Sequence, residues 1–291
     1  MPLSTNKDLP NYDSPRALKE FLDSRGLGMR KRFGQNFLVN PAARQKLLDA
    51  LELSGGEELW EIGPGLGAMT SGLLERGVKL TAFEIDPAFN RILLELFSPN
   101  DNFRLVEGDV LKTWETVKSH SDLFLLGNLP YNIAAALLAD FIEKGMFFRR
   151  LVVTVQKEVA GRMAAKANTP DYSSFSILCS SVYKVSLLNV IKGSSFYPVP
   201  QVDSQAVRLD LINPMKKLPR LFYPLVRALF SSRRKTIRNT LSAFVNRSGI
   251  KASAAQVFGL SGISGDRRPE TLNIDEFAAL AAALEEIDSH G

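Results

Sequence analysis

The sequence predicts an α/β protein: a mostly parallel seven-stranded sheet closed at one edge by an antiparallel hairpin, followed by a small all-helical domain. Three observations carry this reading. From Glu58 onward, short apolar runs of strand length alternate with helical patterns, the signature of parallel βαβ units. Two later runs, 185–191 and 206–211, are joined by a Pro-rich loop too short for a packed crossover helix, so they are expected to pair antiparallel at the far edge. Beyond Pro214 and Pro219 the pattern turns wholly helical. The expected organisation is an N-terminal extension over 1–29, an α/β domain over 30–213 and a helical domain over 214–291.

Each element has a local reason. Ser14 is a good N-cap and Pro15 suits the first helical position, so a short helix with Leu18, Phe21 and Leu22 on one face opens the chain and ends at Gly26 and Gly28. Asn40-Pro41 repeats that signal before a helix carrying Leu47, Leu48 and Leu51. Strands are expected over 59–62, 79–85, 102–107, 123–127 and 151–156, with helices over 68–76, 87–97, 133–143 and 157–166. In the last domain Leu229, Phe230, Ile237, Leu241, Phe244 and Val245 recur at helical spacing. Asn273 with Glu276 three residues on forms a capping box that starts the final helix.

Composition excludes several classes. A chain of 291 residues with 45% hydrophobic residues buries a full core. No apolar run approaches the roughly 20 residues of a membrane helix, and the polar start lacks a secretory stretch. The lone Cys179 precludes an intramolecular disulfide, and His120 and His290 leave too few soft ligands for a zinc site. A reduced, cytoplasmic setting, no metal and a monomer are the expectations. The net charge of +5 is unevenly spread: residues 214–291 hold twelve Lys/Arg against seven Asp/Glu, and the first 213 residues sum to zero. Ten of those basic residues, Arg233, Arg234, Lys235 and Arg238 among them, fall between Pro214 and Lys251 with no acidic residue. A solvated helix face is the ordinary reading of a charge run, but this bias favours a polyanion, and nucleic acid above all.

The first strand ends in Glu61-Ile62-Gly63-Pro64-Gly65-Leu66-Gly67, a glycine-rich turn where open α/β sheets bind ligands. One residue separates the last two glycines, so the dinucleotide fingerprint fails. Glu84, 21 residues after Gly63 at the next strand tip, can accept two hydrogen bonds from ribose hydroxyls. Asp109 follows the third strand and can accept from an adenine amine, with Ile85 and Val110 sandwiching the ring. Each carboxylate alone also suits a helix cap. Together at successive strand ends they describe an adenosine pocket without a phosphate ligand.

The fourth strand leads into Asn128-Leu129-Pro130-Tyr131. Adenine N6 is a poor nucleophile because its lone pair is delocalised. The Asn128 side-chain carbonyl and the Leu129 backbone carbonyl can each accept one N6 hydrogen, turning the lone pair toward a methyl donor. Pro130 fixes the backbone and Tyr131 offers a stacking face. Alignment and electrostatics then supply the acceleration without a strong base. Phe196, in the loop Phe196-Tyr197-Pro198-Val199-Pro200-Gln201-Val202-Asp203-Ser204, is the candidate for a second clamp on an extruded base.

In order along the chain, Gly34–Leu38, Glu61–Gly67, Glu84-Ile85-Asp86, Asn128–Tyr131, Val155–Val159, Phe196–Ser204 and Ser232–Thr236 resemble the small-subunit (16S) rRNA adenine N6,N6-dimethyltransferase family, the kasugamycin-sensitivity methyltransferases. The resemblance runs from about Arg30 to the C-terminus. It implies a Rossmann-like class I methyltransferase fold and S-adenosylmethionine as cofactor, touched by Asn36, Leu38, Gly63, Glu84, Asp109 and Asn128. It further implies two methyl groups on N6 of each of two adjacent adenosines in the 3′-terminal hairpin of 16S rRNA, on an immature 30S subunit late in assembly, with the C-terminal domain docking rRNA. A large-subunit rRNA adenine methyltransferase conferring macrolide resistance and a non-catalytic RNA-binding assembly factor are the competing readings.

Overall fold

The computed structural model describes residues 9–27, 35–118, 122–130, 133–212, 217–232 and 234–290. Gly28, Gly34, His120, Tyr131, Pro214 and Arg233, all named above, lie outside the described residues. The chain forms two compact units: Met1–Ala160 with Val185–Leu211, and Gly161–Lys184 with Ile212–Gly291. The expected cut at 213/214 is thus joined by a second change of unit within the α/β part.

In chain order the first unit opens with α1 (Pro15–Ser24), β1 (Phe37–Leu38) and α2 (Pro41–Ala50), then β2 (Glu58–Ile62), α3 (Ala68–Glu75), β3 (Lys79–Glu84) and α4 (Pro87–Phe97). It continues through β4 (Phe103–Glu107), α5 (Val110–Thr113), β5 (Phe124–Asn128), α6 (Ala134–Glu143) and β6 (Arg150–Gln156). The change of unit runs through α7 (Lys157–Ala164), α8 (Ser174–Val182) and the start of β7 (Tyr183–Ile191); β8 (Phe196–Tyr197) and β9 (Ser204–Leu211) complete the sheet-forming part. Two caps are those the sequence calls for: the Ser14 side chain accepts from Ala17 N–H and Asn40 from Ala43 N–H; α4 is capped by Asp86, which accepts from Ala88 N–H.

The sheet has seven strands in the order β4-β3-β2-β5-β6-β9-β7. β4, β3, β2, β5 and β6 run parallel, and β9 pairs antiparallel with β6 along its whole length, Arg150 opposite Asp210 through Gln156 opposite Ser204. The later strand of the edge pair is therefore the inner one. Burial agrees with that order: Ala206, Val207 and Leu209 of β9 are fully buried, whereas Leu187 and Val190 of β7 stay exposed at the edge. A second sheet of two short strands pairs β1 with β8, Leu38 opposite Phe196 and Phe37 opposite Tyr197.

The second unit contains α9 (Phe222–Phe230), α10 (Ile237–Ser248), α11 (Ala254–Ser261) and α12 (Ile274–His290). Its core gathers Phe222, Leu225, Leu229, Ile237, Leu241, Phe277 and Leu280 together with Tyr172 and Ile177. The Tyr172 hydroxyl donates to the Leu272 carbonyl at 3.0 Å, which explains why residues 161–184 belong with the C-terminal helices. Asn273 and Glu276 cap α12 reciprocally, each side chain accepting the other's backbone N–H at 2.9 Å. Arg234, Lys235, Arg238 and Arg247 are exposed around α10. Arg238 also meets Asp266 at 3.2 Å and lies over the Phe258 ring.

Candidate active site

Parallel strands place all their C-terminal ends on one edge of the sheet, and here four of them are level: Ile62 lies beside both Phe83 and Gly127, and Glu84 beside Glu107. The loops that leave these tips enclose a cleft of about 270 Å³. Its walls include Asn36, Leu38, Gly63, Glu84, Asp109, Asn128, Leu129 and Pro130, so eight of the nine candidate site residues that fall among the described residues converge there, with the apolar Ile85 and Val110 counted apart. Those two line it as well.

The floor is the glycine turn. Gly63, Gly65 and Gly67 all adopt positive φ. At Gly67 (φ 88°) a Cβ would also come within 2.3 Å of the Phe97 ring, so this position admits only glycine. The turn is tied to the neighbouring strand tip, because Gly65 N–H donates to the Glu84 carboxylate at 3.1 Å. The other Glu84 oxygen accepts Asp86 N–H at 2.8 Å. Glu84 is therefore not the cap of α4; Asp86 has that task, and its second oxygen accepts Gln35 Nε2 at 2.8 Å. Asp109 does cap α5, accepting Leu111 N–H at 3.1 Å, while lining the cleft.

Two buried carboxyls set the electrostatics. Burial raises Glu61 most; the Thr70 hydroxyl, donating at 2.7 Å, pulls it down, the Glu84 charge pushes it up, and it ends at about 8. Burial likewise lifts Glu84 to about 7, against the stabilising backbone N–H bonds from Asp86 and Gly65. Among the described residues the lining contains no Lys or Arg. Such a cleft repels phosphate and suits a ligand with hydroxyls, a positive charge and a flat apolar ring, which is the chemistry of S-adenosylmethionine.

Opposite this floor, the Asn128 amide nitrogen donates to the Asn36 carbonyl at 2.9 Å. That bond orients the side chain, leaving Oδ1 as its acceptor for a substrate. Leu129 N–H is held by the Thr154 carbonyl at 3.2 Å, and Leu129 itself is buried beneath the turn. Gly127 is required just before, since a Cβ there would come within 2.6 Å of the Leu129 side chain. The Pro130 carbonyl receives Ile133 and Ala134 N–H, starting α6.

Phe196 departs from expectation. It is 2% exposed, sits in the core with Leu47, Leu48, Ile191 and Ala206, and is not part of the cleft wall. Its strand pairs with β1, Leu38 opposite Phe196, and of the two only Leu38 reaches the cleft wall while the Phe196 ring belongs to the core. Residues not assigned a role from sequence also line the cleft, namely Gln35, Glu61, Phe37, Phe89 and, from the N-terminal extension, Tyr12 and Leu18. Glu61 had a sequence signal as an acid at a strand end; Tyr12 and Leu18 had none beyond an amphipathic helix.

A mostly parallel seven-stranded sheet of this order, with a cleft lined by buried acids and apolar side chains at its strand tips, is that of a Rossmann-like class I methyltransferase using S-adenosylmethionine. The family described as ribosomal RNA adenine dimethylase matches residues 26–280. Ribosomal RNA small subunit methyltransferase A of Treponema denticola is 43% identical over 278 residues, 94% of this chain and 95% of its own length. The protein of the same description from Borreliella burgdorferi (strain ZS7) is 40% identical over 274 residues, 94% of this chain and 95% of its own. Among solved structures, a dimethyladenosine transferase from Plasmodium falciparum superposes with a TM-score of 0.71 at 24% identity, covering 85% of this chain and 97% of its own. The 23S rRNA methyltransferase ErmE superposes at 0.61 with 21% identity, covering 85% and 99%. The last two share the fold. The chain belongs to the ribosomal RNA adenine dimethylase family.

Proposed function

We propose that this protein dimethylates N6 of two adjacent adenosines in the 3′-terminal hairpin of 16S rRNA, acting as a cytoplasmic monomer on the immature 30S subunit late in its assembly. The observation that carries the reading is the orientation of Asn128, whose amide nitrogen is occupied by the Asn36 carbonyl at 2.9 Å while its side chain lines the same cleft as Gly63, Glu84 and Asp109. The bound cofactor supplies an electrophilic methyl on a sulfonium. Glu84 receives the ribose hydroxyls, Asp109 the adenine amine between Ile85 and Val110, and Asn36, Leu38, Gly63 and Asn128 the remainder.

On the substrate side, Asn128 Oδ1 and the Leu129 carbonyl each accept one hydrogen of the target amine. This favours a pyramidal nitrogen with its lone pair in line for transfer, and the proton leaves afterward. Pro130 and the buried Leu129 side chain keep the two acceptors fixed, and Tyr131 stacks on the base. Phe196 is not assigned to a clamp, because reaching the base would require it to leave the core. The exposed Arg234, Lys235 and Arg238, with Arg233 beside them in sequence, meet rRNA phosphates.

The test is transfer of tritium from labelled S-adenosylmethionine to immature 30S particles and, in parallel, to 23S rRNA. Label recovered as N6,N6-dimethyladenosine from 16S rRNA supports the reading. Label on 23S rRNA, on a carbon, a ribose or a protein, or no transfer at all, overturns it.

A further inference from the structure

The N-terminal segment 9–27 lies largely outside the region that carries the family motifs, yet it is built into the first unit. Leu18 and Leu22 are 1% and 3% exposed and share one apolar cluster with Val39, Leu66, Ala88, Phe89 and Ile92. Two ion pairs fasten the ends of the segment. Arg44 on α2 pairs with Asp13 and also donates to the Leu38 carbonyl at 2.8 Å, so one guanidinium holds the start of α1 against β1. Beyond the other end, Arg25 meets Glu95 of α4 at 2.9 Å and lies over Phe21.

Within this segment, Tyr12 and Leu18 both line the cleft. The Tyr12 hydroxyl donates to the Leu66 carbonyl at 2.9 Å. Leu66 stands between Gly65 and Gly67, so this bond reaches across 54 residues to grip the middle of the turn on which the cofactor rests. Tyr12 is half-buried there, and burial first, with the Glu61 carboxyl nearby, keeps its hydroxyl in the protonated, donating form. Its partner Leu66 stands in the turn that follows β2, two strands along the sheet from β4, after which comes Asp109, where adenine is assigned.

We propose that segment 9–27 is a wall of the cofactor site, in which Tyr12 is a positioning residue that locks the glycine turn for the aminoacyl arm of S-adenosylmethionine. This rests on the reading that the cleft holds that cofactor. Loss of the hydroxyl leaves the Leu66 carbonyl without its partner and frees the turn, whereas the adenosine half, held by Glu84 and Asp109, keeps its own bonds.

The experiment is calorimetric titration of full-length wild type and Tyr12→Phe with S-adenosylhomocysteine and with adenosine, alongside thermal melting. Tyr12→Phe is expected to bind S-adenosylhomocysteine about three- to tenfold more weakly, the worth of one part-buried hydrogen bond, with adenosine affinity nearly unchanged. A loss shared equally by both ligands would mean a general packing role and overturn the proposal. So would unchanged affinity for both in a folded variant. Leu18→Ala, which opens the wall while leaving the Tyr12 hydroxyl in place, is expected to speed release of both ligands; an unaltered release rate counts against the wall. A wild type that binds neither ligand would sink the reading of the cleft itself, whereas wild-type binding with an indifferent Tyr12→Phe sinks only this inference.

Discussion

Cofactor binding should release protons, and the number can be worked out. Glu61 and Glu84 titrate at about 8 and about 7 in the ligand-free cleft, against an ordinary value of 4.5, with burial the main cause in both. At pH 7 the first is roughly nine-tenths protonated and the second about half. A ligand that brings an ammonium group and ribose hydroxyls draws both toward the carboxylate form, so about 1 to 1.5 protons leave per ligand bound. For Glu61 alone, affinity rises roughly fiftyfold between pH 6 and pH 8. Titration with S-adenosylhomocysteine at pH 7 in two buffers of different ionisation enthalpy measures the proton count directly. Glu61→Gln should reduce it by about nine-tenths of a proton and flatten the pH dependence. The stability of the ligand-free protein carries the same signature with opposite consequence. A carboxyl raised in the folded state binds its proton more tightly there than in the unfolded chain, so its contribution falls as pH rises from about 4.5 to 8. The stability difference between Glu61→Gln and wild type should therefore shift in favour of the variant across that window. Proton uptake on binding, no proton exchange, or affinity that falls from pH 6 to pH 8 would refute the assignment of these two groups.

Three further outcomes follow from the same geometry. Asn128→Ala should slow methyl transfer about a hundredfold or more while S-adenosylhomocysteine binding weakens by less than about tenfold, and wild-type-like rates in single-turnover assays would remove Asn128 from its role. Replacing Arg233, Arg234 and Lys235 by Gln should weaken rRNA binding and lower the slope of log affinity against log salt by about 2; an unchanged slope places the phosphate contacts elsewhere. Gly67→Ala combines a φ of 88° with a Cβ 2.3 Å from the Phe97 ring, and should cost about 2–4 kcal/mol in urea unfolding. Wild-type stability would show that the turn has room to relax.

Most elements were legible because their causes are local. Ser14, Asn40 and Asn273 each announce a helix through a side chain that can accept a nearby N–H, and each does so. Pairing between distant segments was not legible. Two-residue strands such as Phe37–Leu38 and Phe196–Tyr197 carry no period, so their union, and with it the burial of Phe196, left no mark in the sequence. The insertion of β9 beside β6 likewise depends on which strand buries both faces. Tyr12 reaches Leu66 through a single hydroxyl, which no spacing rule detects.

The site itself was readable for a different reason. A parallel sheet converts sequence order into spatial adjacency, since every strand delivers its last residue to the same edge. Residues 63, 84, 109 and 128 are far apart in the chain, yet each follows or ends a strand whose neighbours are level with it. What sequence could not decide was whether Glu84 and Asp109 serve ligands or merely cap helices. At Glu84 the division of labour is explicit: Asp86 takes the cap of α4, so the Glu84 carboxylate is turned to the glycine turn and pushed up to about 7 by burial. A buried acid that caps no helix and, among the described residues, meets no cation is costly to keep unless something enters to use it. At Asp109 one oxygen caps α5 and the residue still lines the cleft, so structural and ligand roles are superposed there. Replacing Glu84 by Gln should therefore spare or raise stability while cofactor affinity falls, whereas Asp109→Ala should lower both.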